Sequence, residues 1–470
     1  MNGNYSLKDQ NMKLIKSNKA SENYLSKIVR IDSFRKHNDP NAEKLKCCTI
    51  DGFNIITGID SEPGLYVYFP ALSQINNDFL SYANLYRHKE LNKDPEQSGM
   101  FEDNGRVKAI KLRGEISEGF ILPITVFENY IISVTNKELK DVKEDIEFDA
   151  VEHEGKEFWI SKKYVAKRQH SQGSSSSSVK IRYKVPKRLD RIREDQFRFH
   201  YSTVIIKKCP FVINPESLIH LSYKMHGTSG ISAYVLCHKP LNWKEKLAKW
   251  LTGHSFDEYG HIYASRTVIK NKYYNPQVGS GFYGNIDIWG EADKIVGPAL
   301  KKGETAYYEI VGFLPNGQYI QKGFDYGCVP PKPNEDYTVG RHFRILIYRV
   351  TYTNVDGEVH EFSTQEVQQW CDRNGLYSVE QCYYGRAKDL YPDIDISQHW
   401  NANFLERLAN DKNFYMELDS PHCKNKAPHE GLVIKIEDGH SRAFKLKCFR
   451  FLNKEQELLD KGEENIEDEA

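Results

Sequence analysis

The chain has 470 residues, of which 28% are charged and 12% are aromatic, and its formal net charge is zero. This length exceeds a single ordinary hydrophobic core and predicts two or three domains. Zero net charge argues against a protein that coats nucleic acid through bulk electrostatics. No apolar run is long enough to cross a bilayer, so we expect no membrane partner.

Nine scattered cysteines include no Cys-x-x-Cys pair, which fits neither a zinc site nor a disulfide framework. The first residues are polar and lack the apolar centre of a secretory signal. We therefore expect a soluble intracellular protein, cytoplasmic or nuclear. The sequence does not fix the oligomeric state, and a monomer is the simplest expectation.

The N-terminal third of the chain is rich in short β-prone runs. Residues 1–22 are polar and are expected to form a flexible N-terminus. Residues 23–165 then alternate turns with runs such as Ile28–Ile31 and Gly64–Phe69. Many short strands at close spacing indicate a small barrel. The stretch 76–102 is expected to be loop or short helix.

A change of composition separates this region from the rest. Gly173 and five consecutive serines mark a linker over 166–182, because no core can be built from such a run. The segment 161–200 carries twelve Lys and Arg against three Asp and Glu, so a local basic surface remains available to RNA. A second domain is expected over 183–453. The tail, 454–470, has eight acidic residues against two lysines and is expected to be solvated and disordered.

Two helices are predicted in the second domain. A helix over 242–251 would carry its apolar residues on one face and end at Gly253. Those apolar residues, which we interpret as core, are Trp243, Leu247, Trp250 and Leu251. A capping box at 363–366 begins the other helix, and Gly375 ends it. The proline-rich segment 328–333 is expected to be a loop.

The most informative segment is 224–229, which reads Lys-Met-His-Gly-Thr-Ser. It lies between two predicted strands, 218–223 and 231–236, so Lys224 falls at a strand–turn–strand junction. Gly227 is expected to take a backbone angle that other residues resist. A lysine held there is well placed to be desolvated and used as a nucleophile, although most lysines are solvated surface charges.

Later strands carry charged and aromatic residues whose chemistry fits this lysine. Lys445 and Lys447 are two residues apart, so strand periodicity places both on one face, where they would suit a polyphosphate. Glu309 and Glu430 would suit a ribose hydroxyl and a divalent cation, and Tyr348 would stack on a base. The ordinary alternative is a half-exposed strand and a pair of salt-bridged carboxylates.

Together these residues resemble the motifs of the covalent nucleotidyltransferases, which are the polynucleotide ligases and capping enzymes. The Lys-x-His-Gly-Thr form is similar to that of ATP-dependent RNA ligases, whereas DNA ligases and capping enzymes usually carry Lys-x-Asp-Gly. The segments 308–312, 430–435 and 445–447 match the later motifs in order. The chain departs from the pattern in a long insert, 237–262, and in Arg349, which stands where an aspartate is usual.

The first domain also resembles known modules. Residues 37–45 and 57–58 are similar to tRNA-binding OB modules, and 105–119 resembles the OB domain that precedes the catalytic domain in RNA ligases of the Deinococcus and Naegleria type. The resemblance implies a β-rich α+β fold, in which an N-terminal OB-fold barrel is followed by an adenylyltransferase domain. That second domain would be an ATP-grasp-like nucleotidyltransferase of antiparallel sheets with helices.

The resemblance implies an activity and a set of roles. ATP would donate AMP to Lys224, and the AMP would activate an RNA 5′-phosphate for attack by a 3′-hydroxyl. Lys445 and Lys447 would be the other catalytic residues, acting on the phosphates, and Mg²⁺ or Mn²⁺ would bind near Glu430 through water. The nucleotide-binding residues it implies are His226, Gly227, Arg266, Glu309, Tyr348, Glu430 and Lys435. In this set Glu309 would hold the ribose, and Tyr348 would replace the usual adenine-stacking phenylalanine.

Basic residues on one predicted strand face would grip the RNA beside the break, although a solvated barrel face explains them equally well. They are Arg106, Lys108, Lys111 and Arg113. Two alternative functions stay open at this point. One is a DNA ligase or an RNA-capping guanylyltransferase. The other is a non-catalytic RNA- or tRNA-binding OB protein with an inert second domain.

Overall fold

The computed structural model divides the chain into two compact units. Unit 1 contains residues 1–167, 204–212 and 452–462, and unit 2 contains residues 168–203, 213–451 and 463–470. The structure describes residues 12–139, 142–166, 192–193, 195–253, 256–270, 283, 286–396, 399–437 and 442–462. Apart from residue 166, the predicted serine linker lies outside these residues.

Unit 1 is built mainly from short strands. Its strands are β1 (Lys13–Ile15), β2 (Ser26–Ile31), β3 (Arg35–Lys36), β4 (Leu45–Ile50), β5 (Phe53–Gly58), β6 (Gly64–Pro70), β7 (Ser73–Ile75), β8 (Ile110–Leu112), β9 (Glu115–Ser117), β10 (Gly119–Pro123), β11 (Glu147–Phe148), β12 (Ala150–His153), β13 (Lys156–Trp159), β14 (Ser161–Lys163) and β15 (Val204–Ile205). Its first helices are α1 (Asn77–Tyr82) and α2 (Ile124–Thr135).

The central sheet of unit 1 has the strand order β10-β6-β2-β11 and is buried on both faces. Successive side chains of a strand point to opposite faces. Val67 and Phe69 of β6 therefore pack into one apolar cluster, whereas Tyr66 and Tyr68 pack into another. The smaller antiparallel sheets of this unit are β1-β12-β13, β3-β4-β5, β7-β14 and β8-β9. The β-rich, antiparallel expectation is confirmed, and the closed OB barrel stays a prediction.

Unit 2 carries longer strands and most of the helices. Its strands are β16 (Leu218–Tyr223), β17 (Thr228–His238), β18 (Asp257–Ser265), β19 (Glu304–Gly312), β20 (Phe343–Thr353), β21 (Val359–Glu361), β22 (Tyr377–Ser378), β23 (Gln381–Arg386), β24 (Gly431–Ile436) and β25 (Arg442–Lys447). Its helices are α3 (Trp243–Thr252), α4 (Ile288–Val296), α5 (Thr364–Asn374), α6 (Ala387–Leu390) and α7 (Trp400–Asn410). Helix α8 (Phe449–Asp460) begins in this unit and continues in unit 1.

Two sheets organise unit 2. One has the order β18-β17-β19-β20-β21 with β22 parallel to β20, and the other contains β25-β24-β16-β23. The chain passes from the second sheet to the first between β16 and β17, and Lys224 lies in that connection. Helix α5 begins as predicted, with a capping box at Ser363 and a left-handed Gly375 at its end. Its Trp370 is buried in an apolar cluster with Trp289 of α4.

Both chain ends differ from the sequence expectations. Residues 13–15 form β1, which pairs with β12, so the flexible N-terminus is wrong for this stretch. The predicted disordered tail is wrong for 454–460, because α8 continues to Asp460. There the Gln456 amide accepts from the backbone N–H of Ala109 and donates to its carbonyl oxygen, each at 2.8 Å. These buried hydrogen bonds stabilise this part of the tail as a helix, although its acidic composition predicted disorder. Residues 463–470 lie outside the described part of the chain.

Helix α3 forms within a residue of its predicted bounds, between an Asn242 cap and Gly253 at a φ of 71°. Its interpretation as core is wrong. Trp243 is 71% exposed and Trp250 is 79% exposed, and no residue of α3 is buried. The helix joins β17 to β18 beyond their last pair, His238 and Asp257. The apolar spacing therefore predicted the helix correctly but not its burial.

Two tryptophans of unit 2, Trp250 on the exposed α3 and the buried Trp289 on α4, should differ sharply in stability measurements. Trp250→Ala is expected to change the free energy of unfolding by less than about 0.5 kcal/mol, because the ring is largely in solvent. Trp289→Ala should cost about 3–5 kcal/mol, because its ring is 1% exposed and its removal leaves a cavity. Chemical denaturation of both variants checks this, and equal losses would contradict the exposed position of α3.

No helix in the described ranges combines the length and the apolar character that crossing a bilayer requires.

Candidate active site

A cavity in unit 2 is lined by one face of the β25-β24-β16 sheet and by residues of β17, β19 and β20. The strand register places its lining residues in two cross-strand rows. One row is Ser222, Val433 and Lys445, and the next is His220, Lys435 and Ala443. The opposite side presents Ser229, Glu309 and Tyr348, and α5 adds Thr364 and Gln368.

Lys224 enters this cavity from the connection between the two sheets. Its backbone N–H donates to the carbonyl oxygen of Gly431 at 2.8 Å, which fixes the connection to β24. Its Nζ lies 2.7 Å from Oε1 of Glu430, and only 16% of its side chain is exposed. The Glu430 side chain is fully buried, and Nζ of Lys447 lies 3.7 Å from the same oxygen. One buried carboxylate is thus shared by two ammonium groups.

The glycine of the Lys-x-His-Gly motif is required for space. The N–H of Gly227 donates to Oε1 of Glu309 at 3.0 Å. A Cβ at this position would lie 2.3 Å from the carbonyl oxygen of Ile310 and 2.9 Å from Cγ of Glu309. The φ of Gly227 lies outside the left-handed region, so the expected special backbone angle is wrong. Glycine is needed because β19 approaches the turn too closely for a side chain.

His226 holds the turn from the other side. Its N–H donates to the Tyr326 hydroxyl at 2.5 Å, and its ring packs edge-on against Phe324 and Phe451 with centroids 4.9 Å apart in each case. Its Nδ1 is 4.0 Å from Oε2 of Glu430. These contacts orient both the backbone beside Lys224 and the carboxylate that pairs with it.

Glu309 and Tyr348 stand on the wall formed by β19 and β20. Glu309 also accepts from the Ser229 hydroxyl at 3.2 Å, so its carboxylate is fixed by two donors of the β17 end. The ring of Tyr348 packs edge-on against that of His200, with centroids 5.1 Å apart, and burial raises the pKa of the Tyr348 hydroxyl above the ordinary range. Burial, together with the nearby Arg349, lowers the pKa of His200 to about 3, so this ring stays neutral at pH 7.

Arg349, which replaces the usual aspartate, has partners of its own. Its Nη2 lies 2.9 Å from Oε2 of Glu361, and its guanidinium lies 4.5 Å from the ring centroid of Tyr307. Cation–π and ion-pair contacts of this kind hold a guanidinium in a fixed orientation. The departure from the expected motif is therefore accommodated by a local ion pair on the cavity wall.

The remaining predicted cations also reach this region. Nζ of Lys435 donates to the Phe362 carbonyl oxygen at 3.3 Å, and burial lowers the pKa of Lys435. Arg266, which follows β18, donates from Nη2 to the Ser202 hydroxyl at 2.8 Å. Lys445 lines the cavity, and Nζ of Lys447 lies 5.0 Å from the Phe451 ring centroid. The alternation expected in β25 is present, because Leu446 faces the core while both lysines do not.

The four residues predicted to bind RNA lie in unit 1. One of them, Arg106, fits neither the predicted RNA-binding face nor the alternative of a solvated barrel face. Arg106 has a fully buried side chain, paired with Asp460 of α8 and packed over the Tyr164 ring at 5.1 Å. It is therefore on neither an RNA-contacting nor a solvated face. Lys108 is 3.2 Å from the same carboxylate. Lys111 is exposed, and Arg113 is 53% exposed with Asp39 at 3.5 Å.

Sequence reasoning overlooked several residues that line the cavity, among them His200, His220 and Thr364. Strand periodicity offered a signal for one of them. His220 and Ser222 share the face of β16 that points toward the site, because they lie four and two residues before Lys224. For Thr364 the sequence offered only a helix start, since its position beside the cavity depends on tertiary packing.

Comparisons with known proteins agree with this arrangement at the level of fold. No protein-family model matches the chain, and no curated protein matches it. Solved structures of Naegleria gruberi RNA ligase do resemble it. A lysine-to-alanine variant with ATP and Mn has a TM-score of 0.53 at 14% identity, over 93% of this chain and 99% of that chain. An arginine-to-alanine variant with ATP and Mn has a TM-score of 0.50 at 15% identity, over 92% and 99%.

A glutamate-to-alanine variant of the same ligase, with AMP and Mn, has a TM-score of 0.50 at 15% identity, over 92% of this chain and 98% of that chain. These likenesses span nearly the whole of both chains. They show that this protein has an RNA-ligase-like fold.

Proposed function

We propose that this protein is an ATP-dependent RNA ligase of the Deinococcus and Naegleria type, joining RNA 3′-hydroxyl and 5′-phosphate ends at nicks. The observation that carries the proposal is the partly buried Lys224 amine, paired with the buried Glu430 at a cavity that Lys445 and Glu309 also line. The RNA-ligase-like fold supports it. Neighbours that bind ATP or AMP with Mn make adenylate the natural group for this lysine to carry.

The first proposed step forms a bond between Nζ of Lys224 and the α-phosphorus of ATP. The bond from that phosphorus to the β-phosphate oxygen breaks, pyrophosphate leaves, and the amine loses a proton. The AMP then passes to an RNA 5′-phosphate, and a 3′-hydroxyl displaces it. Covalent capture of this kind divides one difficult displacement into easier ones.

The electrostatics of Lys224 must change for this step, because only the uncharged amine is a nucleophile. The Glu430 carboxylate at 2.7 Å favours the ammonium form. Cations that compete for the same carboxylate weaken this effect, and Lys447 already shares it at 3.7 Å. Lys445 and Lys447 would also neutralise charge that develops on the phosphoryl oxygens.

A divalent cation fits the same carboxylate. Among the described residues, no three His, Cys, Asp or Glu side chains are grouped to hold a metal. Mg²⁺ or Mn²⁺ would therefore take most ligands from water and from the ATP phosphates, with Glu430 as its acidic partner. When bound, it would polarise the phosphates and weaken the hold of Glu430 on Lys224.

The first test incubates the protein with metal and labelled ATP or GTP and looks for covalent label on a denaturing gel. The second offers nicked substrates with ribose or deoxyribose 3′ ends and measures sealing. We expect label on the protein from ATP and sealing of ribose-ended nicks. Label from GTP instead would favour the capping enzyme, and equal sealing of deoxyribose ends would favour a DNA ligase. A protein that binds RNA but takes up no covalent label would favour the non-catalytic OB protein.

Arg113 is an exposed member of the predicted RNA-binding set in unit 1, so it tests the RNA-docking part of this proposal. Arg113→Ala should leave label transfer from ATP intact and weaken nick sealing about three- to tenfold at moderate salt, as loss of one phosphate contact predicts. Arg30→Ala is the matched control, since Arg30, on β2, is 47% exposed and pairs with Glu144. Equal loss of labelling and sealing in the Arg113 variant would argue against RNA docking.

A further inference from the structure

Five residues that line the cavity have a buried polar side-chain atom without a hydrogen-bond partner among the described residues, namely His200, His220, Tyr348, Arg349 and Thr364. Two of these atoms, Nε2 of His220 and the hydroxyl oxygen of Thr364, belong to residues that other contacts bring to one part of the cavity. His220 is only 5% exposed. Buried polar groups are almost always satisfied, so an unpartnered pair facing one cavity points to a ligand that supplies the missing bonds.

The two atoms belong to one corner of the cavity. His220 is paired in register with Lys435, whose Nζ donates to the Phe362 carbonyl oxygen, two residues before Thr364. The N–H of Thr364 donates to Oε1 of Glu437, two residues after Lys435. The end of β24 thus ties the start of α5 to the strand position of His220. Along β16, this corner is four residues, or about 13 Å, from the Cα of Lys224.

The chemistry of the corner suits the edge of a nucleobase better than a phosphate. Burial lowers the pKa of His220 to about 4, so at pH 7 its neutral ring offers one donor and one acceptor. The Thr364 hydroxyl also donates and accepts. A phosphate presents acceptors only, whereas the edge of adenine presents a donor amino group beside an acceptor ring nitrogen. Lys435 is the cation of this corner, and its Nζ donates to the Phe362 carbonyl oxygen, whereas Lys224 and Lys445, which suit phosphate, stand nearer the β16–β17 connection.

The two cross-strand rows of the cavity indicate where each part of a bound ATP would lie. With the α-phosphate at Lys224 and Lys445, a base would lie between Val433 and Tyr348, and its outer edge would reach the next row, where His220 stands. We propose that His220 and Thr364 form a base-recognition subsite that binds the 6-amino group and N1 of adenine. This inference rests on the proposed function, because it takes ATP as the occupant of the cavity.

The experiment compares ATP with purine riboside 5′-triphosphate, which lacks the 6-amino group, by equilibrium binding and by covalent labelling. The wild-type protein should prefer ATP about tenfold or more, because the analogue leaves buried groups unpaired. His220→Leu should remove most of that preference by weakening ATP binding alone. Thr364→Val should reduce it, and His220→Gln, which keeps a donor and an acceptor, should restore part of it.

A matched control separates recognition from loss of a buried ring. His429 is also a buried histidine with an unpartnered Nε2 and a pKa lowered to about 4 by burial, but it does not line the cavity. His429→Leu should leave the ratio of the two affinities unchanged. Equal weakening of both nucleotides by His220→Leu, or no wild-type preference, would overturn the inference. Preferential ATP binding without covalent labelling would instead refute the ligase proposal and leave the subsite standing.

Discussion

Replacing Lys224 with alanine is expected to reduce covalent label transfer from ATP to background. The proposed attack uses the Nζ that the β16–β17 connection fixes 2.7 Å from Glu430, closer to that carboxylate than Lys447 at 3.7 Å. Each loss of about 1.4 kcal/mol of transition-state stabilisation slows a reaction tenfold, and removal of the bond-forming atom eliminates the route altogether. The measurement is intact-protein mass after incubation with ATP and metal, in which the wild-type chain gains one adenylate.

Lys27 provides a closely matched control. Its Nζ lies 2.9 Å from Oδ1 of Asp51, and its side chain is 16% exposed, the same fraction as that of Lys224. Lys27→Ala should therefore lose a comparable ion pair in unit 1 and keep full labelling. Undiminished labelling of the Lys224 variant would remove that lysine from the role of nucleophile.

Lys224→Arg distinguishes the nucleophile from a structural cation. Arginine keeps the positive charge and can pair with Glu430, so the fold of the site should survive. Its guanidinium stays protonated at any pH that a protein tolerates, so it cannot attack phosphorus. We expect this variant to unfold at the wild-type denaturant concentration and to form no adduct. Labelling of the arginine variant would show that Lys224 serves only as a counter-ion.

The parts of the site that sequence predicts well are those set by local geometry. Strand periodicity alone places Lys445 and Lys447 on one side of β25, and the structure has them there. The capping box at Ser363 predicts the start of α5 because all its bonds are local. The Lys-x-His-Gly motif likewise marks the turn that carries Lys224, although its glycine is needed for a reason that sequence could not supply.

The parts that sequence misses depend on distant neighbours. Arg106 looks like a surface cation until Asp460, 354 residues later, pairs with it inside unit 1. Trp250 looks like core because its spacing is amphipathic, yet spacing cannot say whether another element covers the face. His220 stands in an ordinary strand, and its proposed role rests on an unpartnered Nε2 at a cavity that Thr364 also lines. In each case the deciding partner is tertiary.

Gly227→Ala should damage both stability and activity, since the two depend on the same close approach of β19. The added methyl group would lie 2.3 Å from the Ile310 carbonyl oxygen, so the turn or β19 must move. Overpacking of this kind typically lowers the free energy of unfolding by about 1–3 kcal/mol. The shift would also disturb the Gly227 N–H bond to Glu309 and the placement of Lys224, so label transfer should fall at least about tenfold.

Gly58→Ala is the control for this substitution. A Cβ on Gly58 would meet no atom within 4 Å, and its φ is ordinary. Alanine there should leave stability within about 1 kcal/mol of wild type and labelling unchanged, because it only restricts the unfolded chain. Denaturant titration and initial labelling rates measure both effects. A Gly227 variant as stable and as active as the Gly58 variant would show that β19 yields without cost, and the turn would then not be what positions the nucleophile.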